Sequence, residues 1–135
     1  MKFPDWIKVY GDQNFRGNCP KEDVEQITFF SELKKRYPEL WEISIHPKNE
    51  GLLLKGQFQQ MNKDKAMGLR KGAPDIIIPL GFACELKRQD HTKSSWQKGQ
   101  LEYLKQFQEF GGFACVALGH EAAIEAVKEW ISTWT

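Results

Sequence analysis

From Pro20 to Tyr37, apolar side chains recur every three or four positions, at Val24, Ile27, Phe30, Leu33 and Tyr37. That spacing predicts a first helix, opened by Pro20 in its first turn and stopped by Pro38. The period then changes to two: Trp41, Ile43 and Ile45 alternate with Glu42, Ser44 and His46, the pattern of a strand with one buried face. "LLLKG" reads as its short continuation after a turn at "KNEG", and "QFQQMNKDKAMG" has helical composition ending at Gly68. "PDIIIPL" and "FACELKR", rich in β-branched and aromatic residues, predict an antiparallel hairpin about a Pro-Leu-Gly turn. Trp96, Leu101, Leu104 and Phe107 fit a helix from Ser95 to Phe110 that ends at Gly111 and Gly112. "FACVALG" reads as a further buried strand, and Ile124, Val127, Ile131 and Trp134 mark a closing helix. Residues 1–18 carry Phe3, Trp6, Tyr10 and Phe15 without a period and read as an irregular arm. The order of elements predicts an α/β domain, residues 19–135, with a mixed sheet between helices.

Composition narrows the class. At 135 residues, 41% hydrophobic and 13% aromatic, the chain suits one domain with a real core. A net charge of +1 identifies no polyanionic partner, so local charge must do so. Between Lys55 and Lys98 nine Lys or Arg face four Asp or Glu, whereas residues 99–135 hold two against five, so the middle is the basic part. Cys19, Cys84 and Cys115 are odd in number and form no CxxC pair, as in a reduced intracellular protein. The first residues lack the charged-then-apolar layout of a signal peptide and no apolar run approaches membrane-spanning length. The expectation is a cytoplasmic protein of a bacterial or phage-infected cell.

Charge inside the hairpin is the anomaly. A turn about Leu80 and Gly81 sets Asp75 opposite Leu86 and within one residue of Glu85, while Glu85 and Lys87, two apart, share a face. Isolated charge buried there costs several kcal/mol, so something compensates. An ion pair of Lys87 with Asp75 or Glu85 is one answer. The other is a hard divalent cation such as Mg²⁺, which takes oxygen ligands and keeps several waters. Such an ion polarises a phosphoryl oxygen and acidifies a bound water, with Lys87 orienting that water or stabilising developing charge. Glu22 and Gln26, one turn apart on the first helix, extend its inward stripe with polar groups. Dipole stabilisation at a helix start accounts for Glu22 but not for Gln26. His46, His91 and His120 show no metal-ligand spacing.

Glu22 to Gln26, "KAMGLRKGAPDIII", "CELKR" and "QLEYLKQFQEFGG" resemble, in order, the motifs of the VRR-NUC nucleases of the PD-(D/E)XK superfamily, over roughly residues 20–127. The resemblance implies a restriction-endonuclease-like α-β-β-β-α-β core, Mg²⁺ or Mn²⁺ as the metal, and kinship with standalone phage and bacterial proteins that act on branched DNA as dimers. Carried over, it makes Glu22, Gln26, Asp75, Glu85, Lys87 and Gln100 the catalytic set, with Gln97 the alternative to Gln100. Glu22, Asp75, Glu85 and the backbone carbonyl of Leu86 become metal ligands. The stretch from Gln89 to Gln100 is less regular than the family pattern, and the arm has no counterpart in it.

Beside such a site Arg70, Lys71, Arg88, Lys93 and Lys98 would neutralise backbone phosphates, where otherwise they form a solvated rim. No helix-turn-helix or zinc-finger pattern offers base readout, so recognition by DNA shape is expected. The expected activity is a Mg²⁺-dependent, structure-selective DNA endonuclease of the Holliday-junction-resolving type, acting as a homodimer. A monomeric flap or single-end nuclease and a catalytically idle DNA-binding subunit are the alternatives. Phe3, Trp6, Tyr10, Phe15, Trp130 and Trp134 either wrap their own domain or form the dimer interface, where aromatics are enriched.

Overall fold

The computed structural model describes residues 1–47, 58–68 and 70–134. The elements are β1 (Lys8–Tyr10), α1 (Glu22–Arg36), α2 (Pro38–Ile43), α3 (Phe58–Ala66), β2 (Ile76–Ile78), β3 (Phe82–Lys87), a 3₁₀ turn (His91–Lys93), α4 (Gln100–Glu109), β4 (Phe113–Leu118) and α5 (His120–Ser132). Four strands form one mixed sheet in the order β1-β4-β3-β2. β3 and β1 run parallel to β4, and β2 returns antiparallel beside β3. All six residues of β3 are buried, as expected of a central strand covered on both faces.

Alternation along β3 sorts its side chains between two cores. Phe82, Cys84 and Leu86 join Phe29 and Leu33 of α1 and Ile124, Val127 and Trp130 of α5. Phe82 stacks on Phe113 at 5.7 Å between ring centroids and meets Trp130 at 5.2 Å. Each such fully buried side chain contributes roughly 1.5–3 kcal/mol. On the other face Ala83, Val116 and Leu118 pack with Leu104 of α4 and with Ile7. Glu85 and Lys87 share the phase of Ala83, so they point toward the α4 side of the sheet.

Several expectations are corrected. The alternating Trp41–Ile45 stretch is not a strand: Trp41 to Ile43 complete α2, because Pro38 occupies the first turn of a new helix. Only Ile45 reaches the sheet, through two backbone hydrogen bonds with Ile77 of 2.8 and 2.9 Å. The "LLLKG" continuation, its "KNEG" turn and Leu69 of the basic link lie outside the described residues. The arm is not irregular throughout, since Lys8–Tyr10 forms edge strand β1. The helix placed at Ser95 begins at Gln100, after the 3₁₀ turn. Helix α1 is rotated from the expected stripe: Glu25, Phe29 and Leu33 face inward, and Val24 and Ile27 are exposed, Ile27 by 71%.

The arm's aromatics serve their own domain. Phe3 and Trp6 pack against the α4-side core with Trp96 and Phe107, and Tyr10 is buried in the other core. Lys8 pairs with Glu129 of α5. Trp130 is buried and carries the half-exposed Trp134 edge-on at 4.8 Å. Of the arm's four aromatics, Phe3, Trp6 and Tyr10 thus pack on their own domain.

Candidate active site

The hairpin delivers the first two carboxylates. Ile76 pairs with Cys84 and Ile78 with Phe82, so Asp75, one step further, falls opposite Glu85 rather than opposite Leu86. The one-residue difference arises at the turn, where Leu80 takes a left-handed φ of 101°. Asp75 Oδ2 accepts the backbone N–H of Leu86 at 2.9 Å, and the Asp75 carbonyl is 2.8 Å from His46 Nδ1. Asp75 is thereby fixed from both sides at the start of β2.

Glu85 and Lys87 are 1% and 2% exposed. Burying two such groups is tolerable only with dense pairing, and the partners come from the segment leading into α4. Lys87 Nζ donates to the Ser95 carbonyl at 2.8 Å and to Gln100 Oε1 at 3.2 Å. It lies 3.4 Å from Glu85 Oε1, 3.8 Å from Glu22 Oε1 and 5.4 Å from the centre of the Trp96 ring. Gln100 Nε2 donates to Glu85 Oε1 at 2.9 Å. The other carboxylate oxygen, Glu85 Oε2, is buried with no hydrogen-bond partner.

A close backbone crossing sets α4 at this distance. Gly72, just before Asp75, runs so near Gly99 that a Cβ on it would lie 2.1 Å from the Gly99 carbonyl oxygen. Gly99 has a φ of 91°, and Gln100 follows it as the first residue of α4. Gln97 offers the site only its backbone N–H, which donates to Gln100 Oε1 at 2.8 Å.

Electrostatics reflect the crowding. Burial pushes the Glu85 carboxyl well above the usual carboxylate range, the Asp75 charge raises it further, and Lys87 acts in the opposite sense. Glu22 is also raised, first by burial; Asp75 adds to the shift while Lys87 and Arg88 oppose it. Asp75 therefore raises both Glu85 and Glu22, and Lys87 opposes both shifts. Among the described residues no three His, Cys, Asp or Glu side chains form a ready-made metal cage. The donor set of Asp75 and the orphaned Glu85 oxygen fits a hard cation of the Mg²⁺ kind, which binds through one or two carboxylates and keeps waters.

The remaining expected residues are placed less centrally. Gln26 is half-buried one turn beyond Glu22, and its side chain makes none of the site's hydrogen bonds described above. Arg88 donates to the carbonyls of Cys19 at 2.6 Å and Pro20 at 3.1 Å, and Lys93 to that of Gly17 at 2.9 Å. Both therefore tether the chain entering α1. Arg70 donates to the Lys65 carbonyl at 3.0 Å, and Lys71 and Lys98 are exposed. Sequence reasoning missed Ser95 and Trp96 as neighbours of Lys87, and it missed Glu25, a buried acid beside the site. The i, i+4, i+8 spacing of Glu25, Phe29 and Leu33 was the available signal for Glu25.

No protein-family model and no curated protein matches the sequence. Among solved structures the chain is similar to a "VRR_NUC domain protein", with a TM-score of 0.66 at 22% sequence identity, over 87% of this chain and 92% of that one. The mixed four-stranded sheet with flanking helices is thus the fold of a VRR_NUC domain protein. Among the described residues no helix is long and apolar enough to cross a membrane.

Proposed function

We propose that the protein is a metal-dependent nuclease of the VRR-NUC family, hydrolysing phosphodiester bonds in branched DNA. The observation that carries this reading is Glu85: a buried carboxylate with one oxygen held by Gln100 and Lys87 and the other without a partner beside Asp75. The Lys87 ion pair and Gln100 engage only Oε1, whereas a cation held together with Asp75 would give Oε2 a partner.

Asp75, Glu85, the Leu86 carbonyl and Glu22 are the groups that would hold Mg²⁺ or Mn²⁺. When bound, the ion supplies Lewis acidity and an acidified water. The chain's own residues do the rest. The Leu86 N–H aims Asp75. Gln100 and Lys87 fix one oxygen of Glu85, so its rotamer is set before any ligand arrives. Lys87, held by four oxygens and an aromatic face, presents a fixed positive charge where negative charge develops on the phosphorane. Arg70, Lys71 and Lys98 would meet backbone phosphates without reading bases.

Resolution of a two-fold junction needs two such sites, which a homodimer provides. Inward packing of Phe3, Trp6 and Tyr10 favours a second reading, a monomeric flap or single-end nuclease. The test incubates labelled junction, flap, duplex and single-stranded DNA with the protein in Mg²⁺ and in EDTA, beside Glu85→Gln and Lys87→Ala. Cleavage of branched substrates in Mg²⁺ alone, lost in both variants, is expected. Turnover by Glu85→Gln near that of the wild type would show that the site is wrong.

A further inference from the structure

The chemistry proposed above leaves Glu25 without a task, although it is 1% exposed and densely bonded. Its Oε1 lies 2.9 Å from His120 Nδ1. Its Oε2 accepts the His120 backbone N–H at 3.1 Å and Gln89 Nε2 at 3.4 Å. The approach is built into the backbone: Gly119 has a φ of 94°, and a Cβ there would lie 2.4 Å from Glu25 Oε2 and 2.8 Å from Gln89 Cγ. One carboxylate thus joins α1, the start of α5 and the chain two residues beyond Lys87.

Glu22 stands one turn before Glu25 and is the first residue of α1. The first turn of a helix frays unless its N–H groups are capped. Here the N-cap residue, Lys21, provides no side-chain cap. Within α1 the first turn is tied only locally, by Asp23 Oδ1 accepting the Val24 N–H at 2.8 Å and the Lys21 carbonyl accepting the Glu25 N–H at 3.1 Å, and neither bond sets where Glu22 stands relative to the sheet. That turn is held from outside, by Arg88 on the carbonyls of Cys19 and Pro20 and by Glu25 on its inner face. Gln89 belongs to the chain that carries Lys87, so the same carboxylate sets α1 against the strand end that Glu22 faces.

We propose that Glu25, clamped by His120 and Gln89, is a positioning residue that holds Glu22 within reach of Lys87 and the Asp75–Glu85 pair, and so sets the protein's affinity for a divalent cation. The inference rests on the reading of that pair as a cation site. A purely structural Glu25 would dock α1 on α5 and leave cation binding untouched.

A double-mutant cycle separates the two. His120 is a quarter exposed, and His120→Ala removes the side-chain half of the clamp while keeping the backbone N–H. Mn²⁺ binding is measured by calorimetry on wild type, His120→Ala, Glu22→Gln and the double variant. Amide exchange at residues 22–26 is followed in the metal-free proteins. His120→Ala is expected to weaken Mn²⁺ about tenfold, the lower end for groups that orient metal ligands, and to speed exchange in that turn. On the Glu22→Gln background it should cost nothing further, because Glu25 acts through Glu22. Glu25→Gln, which retains an acceptor for the His120 N–H, should fall between. Unchanged Mn²⁺ affinity in His120→Ala, or losses that multiply in the double variant, would overturn the inference alone. A wild-type protein that takes up no Mn²⁺ would overturn the cation site and the inference with it.

Discussion

Replacing Asp75 by asparagine in the metal-free protein should raise its stability while abolishing cleavage. Asp75 lies one step past the Ile76–Cys84 pair, directly across from Glu85, and cross-strand neighbours of this kind have Cβ atoms about 5 Å apart. Were both ionised, two like charges at about 5 Å would repel by roughly 3 kcal/mol at an effective dielectric of about 20, and the raised Glu85 carboxyl, by holding its proton more tightly, relieves part of that. Lys87, 3.4 Å from Glu85 Oε1, and solvent around the half-buried Asp75 remove a good part of that. The variant also trades a charge-assisted bond from the Leu86 N–H, 2.9 Å, for a neutral one, a loss of about 1 kcal/mol. In return, an asparagine amide can donate to Glu85 Oε2, the buried oxygen that lacks a partner. The net is a gain on the order of 1 kcal/mol, or roughly 3–5 °C in Tm for a domain of this size. Thermal melts in EDTA and across a Mg²⁺ titration provide the assay. The wild type should start lower and climb with Mg²⁺, as any native-state ligand requires, while Asp75→Asn starts higher and stays flat. A variant that melts below the wild type in EDTA would refute the repulsion between the two carboxylates. One that climbs equally with Mg²⁺ would remove Asp75 from the ligand set.

Three further outcomes are expected. Gly72→Ala places a methyl group 2.1 Å from the Gly99 carbonyl oxygen, backbone against backbone, and should cost ~1–3 kcal/mol by denaturant titration together with most of the cleavage rate; a loss under about 0.5 kcal/mol would show that the crossing has slack. The Asp90 carboxyl is lowered to about 2, chiefly by the Thr92 hydroxyl and then by the Gly17 N–H. Because the folded value lies below the unfolded one, Asp90 stabilises above about pH 4 and its contribution fades as pH falls toward 2, so Asp90→Asn should be less stable than the wild type at neutral pH and the gap should close in acid. A gap constant from pH 6 to 2 would contradict this. Arg70→Ala with Lys71→Ala should weaken DNA binding alike across sequences and flatten its salt dependence by about 0.9 for each phosphate no longer neutralised, and a sequence-dependent loss would mean that these residues read bases.

How far the site was legible follows from how local its chemistry is. Asp75, Glu85 and Lys87 stood out because they interrupt an apolar hairpin whose period-two pattern is short-range, and any charge there demands a reason. Gln100 was preferred over Gln97 for its spacing to Leu104 but not separated from it; in the fold the Gln100 side chain bonds Lys87 and Glu85, while Gln97 offers its backbone N–H. The misreadings share another cause. β1 has three residues and a parallel partner in β4 more than a hundred positions away, so no local pattern announces it. The Trp41–Ile45 alternation begins inside a six-residue helix that ends at Ile43, too short for its own period to outweigh a chance alternation. Glu25 was passed over because a charged residue in an inward phase looks like an error until its partner is known, and His120 stands 95 residues further on.

The carbonyl ties of Arg88 and Lys93 were hidden for the same reason. Basic side chains near a nuclease motif imply phosphates by composition, yet each found a carbonyl between Gly17 and Pro20, and only the folded path of the arm brings those carbonyls there. That path bears on the site itself. Arg88 follows Lys87 directly and grips the residues just before Glu22, so the strand that carries the buried lysine also fixes the helix that carries the outermost carboxylate. Glu25 makes the reciprocal connection through Gln89. The geometry around Lys87 therefore depends on two side-chain ties on either side of Glu22, and a substitution in the arm that displaces Cys19 or Pro20 should act at the site while touching none of its residues.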